Sequence, residues 1–293
     1  MGDPLGGERG RVVQADNLTV LRALPDACLD LVYLDPPFNT GKAQVQRRLR
    51  TLQDPAGDRV GFKGRRYRSI PLGASSYSDV HDDYLQFLAP RLSEVRRVLK
   101  ASGALYVHLD YREVHYVKVL LDEIFGRSCF LNEVIWAYDY GARTRRRWPP
   151  KHDTILLYVK DPRRYHFDST AVERIPYLAP GLVGPEKAAR GKLPTDVFWL
   201  TIVPTSGRER TGYPTQKPLT LLRRLVQASS PAGGLVADFF AGSGTTGAAA
   251  LELGRRFLLV DDNPEAYAVM ARRLAQPGVA FASGSPSADG AAG

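Results

Sequence analysis

The sequence predicts an α/β protein with an open, doubly wound, mostly parallel β-sheet, and three segments support this fold class. Residues 31–34 form a short apolar run typical of a buried strand. A second run, residues 235–240, leads into a glycine-rich loop and a helix-forming segment at 248–253. A third run, residues 257–260, ends in Asp261. Strand, loop, helix and strand in this order make one βαβ unit, the element from which doubly wound sheets are built.

The remaining elements are predicted from hydrophobic spacing. Residues 11–16 and 103–109 are predicted as strands, and residues 83–99 and 111–125 as helices. Residues 130–138 and 154–159 are predicted as edge strands joined by a basic loop. No stretch of about eighteen apolar residues is present, so a transmembrane helix is not expected.

Four residues follow the first apolar run: Asp35, Pro36, Pro37 and Phe38. They would lie at the carboxyl end of a strand, where open α/β sheets place their chemistry. The prolines fix two φ angles and remove two backbone donors, which leaves the Pro36 carbonyl available to a ligand. If Asp35 and this carbonyl each accept one hydrogen of an exocyclic amine, the nitrogen lone pair is freed to attack a methyl sulfonium, with Phe38 stacking on the base. Taken alone, the segment is equally consistent with a turn.

The loop after the second run contains Gly242, Gly244 and Gly247 and precedes a helix. Glycines allow close approach of the backbone to a ligand, and a helix amino terminus offers unpaired N–H groups. Asp261, at the end of the next strand, is placed to bind the two hydroxyls of a ribose. The glycine spacing also satisfies the dinucleotide fingerprint, so a nicotinamide or flavin enzyme is an alternative.

Three motifs resemble those of amino-group DNA methyltransferases. Asp-Pro-Pro-Phe at 35–38 resembles their catalytic Asp-Pro-Pro-Tyr, with Phe38 in place of tyrosine. Residues 238–244 resemble their S-adenosylmethionine loop, Asp-x-Phe-x-Gly-x-Gly. Thr-Gln-Lys-Pro at 215–218, before a helical pattern, resembles their cofactor-side motif. Together these motifs favour a methyltransferase over a dinucleotide enzyme.

The order of the motifs along the chain resembles the β group of these enzymes, over about residues 11–275. The resemblance implies a Rossmann-like S-adenosylmethionine-dependent methyltransferase fold, circularly permuted, with an inserted target recognition region. We expect residues 11–160 and 213–282 to form one catalytic domain, residues 161–212 to form the recognition region, and residues 283–293 to be a disordered tail.

The resemblance also implies roles for individual residues. The catalytic residues are Asp35, Pro36, Pro37 and Phe38. The cofactor-binding residues are Asp16, Asp35, Thr215, Gln216, Lys217, Asp238, Phe239, Phe240, Ala241, Gly242, Ser243, Gly244, Thr245 and Asp261. For Asp16, capping of the following helix is the alternative role.

The formal net charge of +9 favours a polyanionic partner. Arginines concentrate in two predicted loops, residues 42–68 and 143–151. We expect both loops to clamp double-stranded DNA around a displaced base. The residues assigned to this role are Arg47, Arg48, Arg65, Arg66 and Arg68 in the first loop and Arg143, Arg145, Arg146, Arg147 and Lys151 in the second.

The cysteines and histidines narrow the reaction. Cys28 and Cys129 do not follow a proline, which argues against methylation of cytosine carbon-5. The five histidines lack metal-ligand spacing, so no metal is expected. Two cysteines indicate a reducing, cytoplasmic location, here bacterial and associated with the nucleoid. The resemblance admits a homodimer and a cognate restriction nuclease as partners.

The leading acid of the tetrapeptide, Asp35, favours adenine N6 as the methylated amine, because relatives with a leading Ser or Thr more commonly modify cytosine N4. Cytosine N4 is the first alternative. RNA or protein-glutamine methylation is another, since such enzymes carry a similar Pro-Pro-aromatic motif. A DNA-binding module without enzymatic activity is a third, and the intact loop at 238–244 argues against it.

Overall fold

The computed structural model describes residues 3–37, 44–53, 59–60, 66–77, 84–141, 144–204 and 206–284. The chain divides into two compact units, Met1–Phe38 with Asp83–Gly293, and Asn39–Asp82. The smaller unit is a three-stranded antiparallel sheet of β3 (Gln44–Gln53), β4 (Arg59–Val60) and β5 (Arg66–Tyr77), in the order β3-β5-β4.

The larger unit is built on a nine-stranded sheet in the order β12-β1-β11-β10-β2-β6-β8-β7-β9. The pairs from β12 to β6 are parallel, whereas β8 is antiparallel to both β6 and β7. The strands are β1 (Gly10–Gln14), β2 (Leu29–Leu34), β6 (Leu99–Leu109), β7 (Phe130–Ala137), β8 (His152–Val159), β9 (Val197–Trp199), β10 (Leu235–Asp238), β11 (Arg256–Asp261) and β12 (Val279–Ser283).

Helices cover both faces of this sheet. They are α1 (Asn17–Ala23), α2 (Tyr84–Val98), α3 (Val114–Phe125), α5 (Leu219–Ser229), α6 (Thr245–Glu252) and α7 (Pro264–Leu274). The short helix α4 (Pro185–Arg190) has no buried residue. One buried cluster joins α1, α2 and α3 to the sheet, and a second joins α5, α6 and α7 to it. Alternate residues of β11 enter the two clusters, Leu258 and Val260 the first, Phe257 and Leu259 the second. The predicted doubly wound α/β class is therefore confirmed.

Residues near both ends of the chain complete one sheet, as the motif order predicts. Strands β1 and β2 lie among β10, β11 and β12, although more than 200 positions separate them in sequence. All six residues of β2 are buried, as expected of a parallel strand covered on both faces. The circular permutation itself stays a prediction.

Three expectations about local structure are wrong. The strands predicted at 130–138 and 154–159 are not at the edge, because β9 pairs with β7 outside them. A three-residue strand is too short to show period-two alternation, so hydrophobic spacing could not predict β9. The basic segment 42–68, predicted as a loop, contains β3, β4 and the start of β5. Its strands pair with β5, which extends to Tyr77, beyond the segment itself.

The third correction concerns only the start of the tail predicted at 283–293, and for residues 285–293 the disorder stays a prediction. Ser283 is the last residue of β12, where it pairs in register with Gln14, and the Gly284 amide donates to the Gln14 carbonyl at 3.1 Å. Residues 285–293 lie outside the described part of the chain. Within that described part, no helix has both the length and the apolar character needed to cross a membrane.

Candidate active site

The carboxyl edge of the larger sheet collects acidic residues, because its parallel strands end there side by side. The antiparallel strand β8 begins at the same edge, since Thr154 pairs with Leu109 at the end of β6. The acidic residues at or just beyond these strand ends are Asp16, Asp35, Asp110, Asp153, Asp238, Asp261 and Asp262. Four of them belong to the residues predicted for catalysis or cofactor binding, so the fold brings these together.

Asp35 follows β2 directly, and the two oxygens of its carboxylate have different surroundings. Oδ2 forms an ion pair with the Lys217 ammonium, which lies 182 positions away. Oδ1 is buried and has no hydrogen-bond partner among the described residues. A buried acceptor without a partner costs about 1–3 kcal/mol. The carboxylate is thus held at one oxygen, and the other is buried without a hydrogen-bond partner among the described residues. Pro36 is buried and Pro37 half-buried, and Phe38 lies outside the described residues.

Lys217, which pairs with Asp35, belongs to the predicted cofactor-side motif, and hydrogen bonds of Gln216 hold the loop that contains this motif. The Gln216 side chain accepts from the Thr211 amide at 2.8 Å and donates to the Glu209 carbonyl at 2.7 Å. Thr215 is exposed and has a φ of +58°, a backbone conformation that is unfavourable for residues other than glycine. Such strain persists only where surrounding contacts enforce it. The Gln216 side chain is thus bonded within its own loop, and its role in cofactor binding stays a prediction.

The glycine loop is formed mainly by backbone contacts. Gly242 has a φ of +49° and Gly244 of +73°. A Cβ at Gly244 would lie 2.8 Å from Met270 Cγ, so only glycine fits between the loop and α7. The Gly242 amide donates to Asp261 Oδ2 at 2.7 Å, and the Ala241 amide donates to the Val260 carbonyl at 3.1 Å.

Ser243 and Thr245 are held from behind by Arg273. Its guanidinium donates to Thr245 Oγ1 at 2.9 Å and to the Ser243 carbonyl at 3.1 Å. Both side chains are buried, and the Thr245 hydroxyl also donates to the Lys217 carbonyl at 3.2 Å. Thr245 thus ties the glycine loop to the segment that carries Lys217.

Two carboxyls flank the glycine loop, and burial raises the pKa of each. Asp238 accepts from the Phe240 amide at 3.0 Å and from the Thr246 hydroxyl at 2.6 Å. Burial, with Asp35 and Asp261 as further negative charges, raises the pKa of Asp238 to about 7. Burial likewise raises the pKa of Asp261 to about 6, against the lowering effect of its bonds from Asn263 and Gly242.

Asp16 caps α1, accepting from the Thr19 amide at 2.8 Å, and pairs with Arg91 at 3.2 Å. Burial alone would raise its pKa, but the bonds from Thr19 and the Arg91 charge hold the pKa of Asp16 below its ordinary value. The capping alternative is therefore observed, and the cofactor role stays a prediction. Phe239 packs in the core with 1% exposure, whereas the Phe240 ring is half-buried, 6.1 Å from that of Phe87.

Sequence reasoning missed a buried polar chain of four side chains at this edge. The Tyr33 hydroxyl is 2.7 Å from His108 Nδ1, and His108 Nε2 is 3.2 Å from Asp153 Oδ2. The Tyr138 hydroxyl donates to Asp153 Oδ1 at 3.0 Å. Burial alone would raise the pKa of Asp153, but His108 and Lys217 hold it below its ordinary value. Tyr33 and His108 are 75 positions apart in sequence, and His108 and Asp153 are 45 positions apart. No local sequence motif therefore connects these residues.

The basic residues of the β7–β8 loop are at the surface. Arg145, Arg146 and Arg147 are exposed, and Lys151 is half-buried. In the smaller unit Arg66 and Arg68 are exposed, and Arg47 and Arg48 belong to β3. Arg65 and Arg143 lie outside the described residues. Among the residues that the structure describes, no group of three or more His, Cys, Asp or Glu is arranged to hold a metal ion.

Comparisons with known proteins agree on one family. The family model described as DNA methylase, for N6 and N4 methyltransferases, matches residues 29–272. DNA adenine methyltransferase YhdJ of Escherichia coli (strain K12) is 28% identical over 282 residues, spanning 92% of this chain and 84% of that protein. The M1.HpyAVI–SAM complex matches with a TM-score of 0.58 and 19% identity over 91% of this chain and 100% of that one. The cytosine-N4-specific PvuII DNA methyltransferase matches with a TM-score of 0.61 and 18% identity, over 92% and 90%.

Proposed function

The chain belongs to the N6/N4 DNA methylase family, and on this basis we propose that it transfers a methyl group from S-adenosylmethionine to adenine N6 in duplex DNA. The observation that carries the proposal is the carboxylate of Asp35. Its Oδ1 is a buried acceptor without a partner among the described residues, while Lys217 holds Oδ2. An exocyclic amine that donates one hydrogen to Oδ1 would satisfy that acceptor, and its lone pair would be less delocalised into the ring.

Lys217 supports this reaction by holding the carboxylate. Its side chain is 10% exposed and that of Asp35 is 16% exposed, so the pair is largely removed from water. An ion pair in such surroundings fixes geometry strongly, because each charge depends on the other for compensation. With Oδ2 bound, the carboxylate cannot rotate freely, and Oδ1 stays directed to the arriving amine. Pro36 and Phe38 complete the proposed site with a second acceptor and a stacking surface.

The residues around the glycine loop fit S-adenosylmethionine, which supplies an electrophilic methyl group on a sulfonium. Gly242 and Gly244 leave the backbone bare of side chains beside Asp261, whose remaining lone pairs suit the hydroxyls of a ribose. Asp238 provides a carboxyl for the cationic methionine end. We assign the cofactor to the residues predicted from the sequence, with Ser243, Thr245 and Gln216 as supports behind the binding surface.

Adenine is proposed over cytosine on two grounds. Asp35 leads the tetrapeptide, and the curated relative YhdJ, which covers most of both chains, is named as an adenine methyltransferase. The likeness to the cytosine-N4 enzyme is at 18% identity and concerns the fold. Residues 161–212 are proposed as the target recognition region, with the basic residues of both units contacting phosphates. A bacterial cytoplasmic, nucleoid-associated location and a homodimer belong to the same proposal, and the family also admits a restriction nuclease as partner.

The test is methylation of unmethylated genomic DNA with tritiated S-adenosylmethionine, followed by digestion and mass spectrometry of the labelled nucleoside. We expect N6-methyladenosine from the wild type. Asp35→Asn should lower kcat about 100- to 1000-fold, because Lys217 would bind the amide oxygen and leave an N–H group facing the target amine. Asparagine is preferred to alanine, which would leave the Lys217 ammonium buried without a partner.

The matched control is Asp30→Asn on the same strand. Asp30 lies at the other end of β2, is buried, and pairs with Lys100 at 2.8 Å. It therefore forms the same kind of Asp–Lys ion pair away from the proposed active site. We expect Asp30→Asn to change kcat less than about threefold. Label in N4-methylcytidine would keep the mechanism and overturn the base. Label only in RNA or protein, or full activity of Asp35→Asn, would overturn the proposal.

A further inference from the structure

The loop between β7 and β8 carries a tryptophan in an unusual position. Trp148 is 94% exposed, although burying an aromatic side chain of this size is strongly favourable. It follows three exposed arginines, Arg145, Arg146 and Arg147. Two prolines, Pro149 and Pro150, follow it and limit the conformations of the backbone. An aromatic ring beside a run of cations favours a partner that is both anionic and aromatic, as nucleic acid is.

The base of this loop is fixed to the catalytic strand. The Tyr138 amide donates to the Lys151 carbonyl at 2.9 Å and closes the loop. The Tyr138 hydroxyl bonds to Asp153, which reaches Tyr33 of β2 through His108. Tyr33 is two residues before Asp35. The loop therefore begins and ends at the edge where the target base has to react.

A second contact places the loop's basic run beside the neighbouring strand end. The Arg147 guanidinium donates to the Tyr111 hydroxyl at 3.1 Å, and Tyr111 is the second residue after β6. Strand β6 pairs directly with β2, which presents Asp35. The Cζ atom of Arg112 lies over the same Tyr111 ring, 4.8 Å from its centroid. Trp148, next to Arg147, is thus carried near the site while its own ring stays exposed.

Displacing a target base leaves an empty place in the stack and an unpaired base on the opposite strand, at a cost of a few kcal/mol. Aromatic and apolar side chains that enter a base step offset such costs. We propose that Trp148 enters the duplex at the target and stacks on the unpaired base opposite it, an inference that rests on the proposed DNA substrate. Arg145 and Arg146 then contact the flanking phosphates.

The experiment compares two duplex oligonucleotides that contain a sequence methylated by the wild type. In one the target base is paired, and in the other it faces an abasic site. Trp148→Ala should lower kcat/KM on the paired duplex about 10- to 100-fold, the range that base–aromatic stacking supports. On the abasic duplex the loss should fall to less than about threefold, because displacement is easier there and no opposite base remains to be stacked. Trp148→Phe should keep most of the activity on both.

Tyr116→Ala is the control. Tyr116 is 63% exposed on α3, outside both the β7–β8 loop and residues 161–212, so it tests loss of an exposed aromatic ring without the arginine run. Its ratio of paired to abasic activity should equal that of the wild type. An equal loss for Trp148→Ala on both duplexes, or no loss on the paired one, overturns this inference alone. A wild type that methylates no duplex DNA overturns the proposed function, and this inference with it.

Discussion

The two sides of the catalytic edge are held by different kinds of contact. On the glycine-loop side, Asp238 and Asp261 accept from backbone amides two residues further along the chain, Phe240 and Asn263. On the catalytic side, the bonds join side chains that are distant in sequence, such as Lys217 with Asp35. The first side is a cradle held mostly by contacts within residues 235–274, whereas the second exists only when strands from distant parts of the chain are assembled. Changes to backbone shape should therefore damage the first side, and single side-chain atoms should control the second.

The largest expected effect comes from adding one methyl group to the cradle. Gly244→Ala places a Cβ 2.8 Å from Met270 Cγ at a φ of +73°. The left-handed conformation costs about 1–2 kcal/mol and overpacking about 1–3 kcal/mol, so the free energy of unfolding should fall by about 2–5 kcal/mol. Urea denaturation measures this change.

Gly254→Ala separates the two contributions. Gly254 has a φ of +68°, and a Cβ there would meet nothing within 4 Å. This variant should therefore lose only the conformational part, about 1–2 kcal/mol. Equal losses for the two variants would mean that α7 yields to the methyl group and that the cradle is less rigid than its contacts indicate.

The same difference explains what the sequence could predict. The Asp-Pro-Pro-Phe tetrapeptide and the glycine loop are contiguous, and their chemistry follows from local backbone geometry, so their positions at the strand ends were predicted. The Lys217 ion pair and the chain from Tyr33 to Tyr138 depend on which strands become neighbours. Hydrophobic spacing identifies strands but not their order, and so these contacts were not predicted.

The short strand β9 and the sheet of the smaller unit were missed for related reasons. Val197–Trp199 is too brief for alternation to appear, and it is defined by its pairing with β7. In β3 and β5 the arginines favoured a DNA-clamping loop, because charge dominated the pattern. There, pairing between residues 14 to 33 positions apart decides the outcome.

A pH titration of stability should separate the two sides by sign. Burial raises the pKa of Asp238 to about 7 from an ordinary value of 3.8, so its contribution to stability is complete below about pH 4 and is lost as the pH rises through 7. The stability difference between the wild type and Asp238→Asn should therefore decrease from pH 4 to 7. A shift of about three units corresponds to about 4 kcal/mol as an upper bound.

Asp153 on the catalytic side should behave differently. Burial would raise its pKa, but His108 and Lys217 hold it below the ordinary value, so its contribution is present above that value and lost only in stronger acid. The difference between the wild type and Asp153→Asn should decrease as the pH falls below 3.8, the ordinary value, in thermal or urea unfolding. A difference that declined with rising pH, as for Asp238→Asn, would remove this contrast.

The smallest effect is expected from a single hydroxyl, and it tests whether the long-range contacts matter for catalysis. Tyr138→Phe removes the donor to Asp153 Oδ1, and Tyr158→Phe removes a hydroxyl that donates to Asp122 Oδ1 at 2.7 Å, away from the site. Each should cost about 1 kcal/mol of stability. Only Tyr138→Phe should also lower kcat/KM on DNA, by about three- to tenfold, because the loop base is then freed from the strand that presents Asp35. If both variants left methylation unchanged, the buried chain would be a packing feature, and the catalytic side would owe its geometry to Lys217 alone.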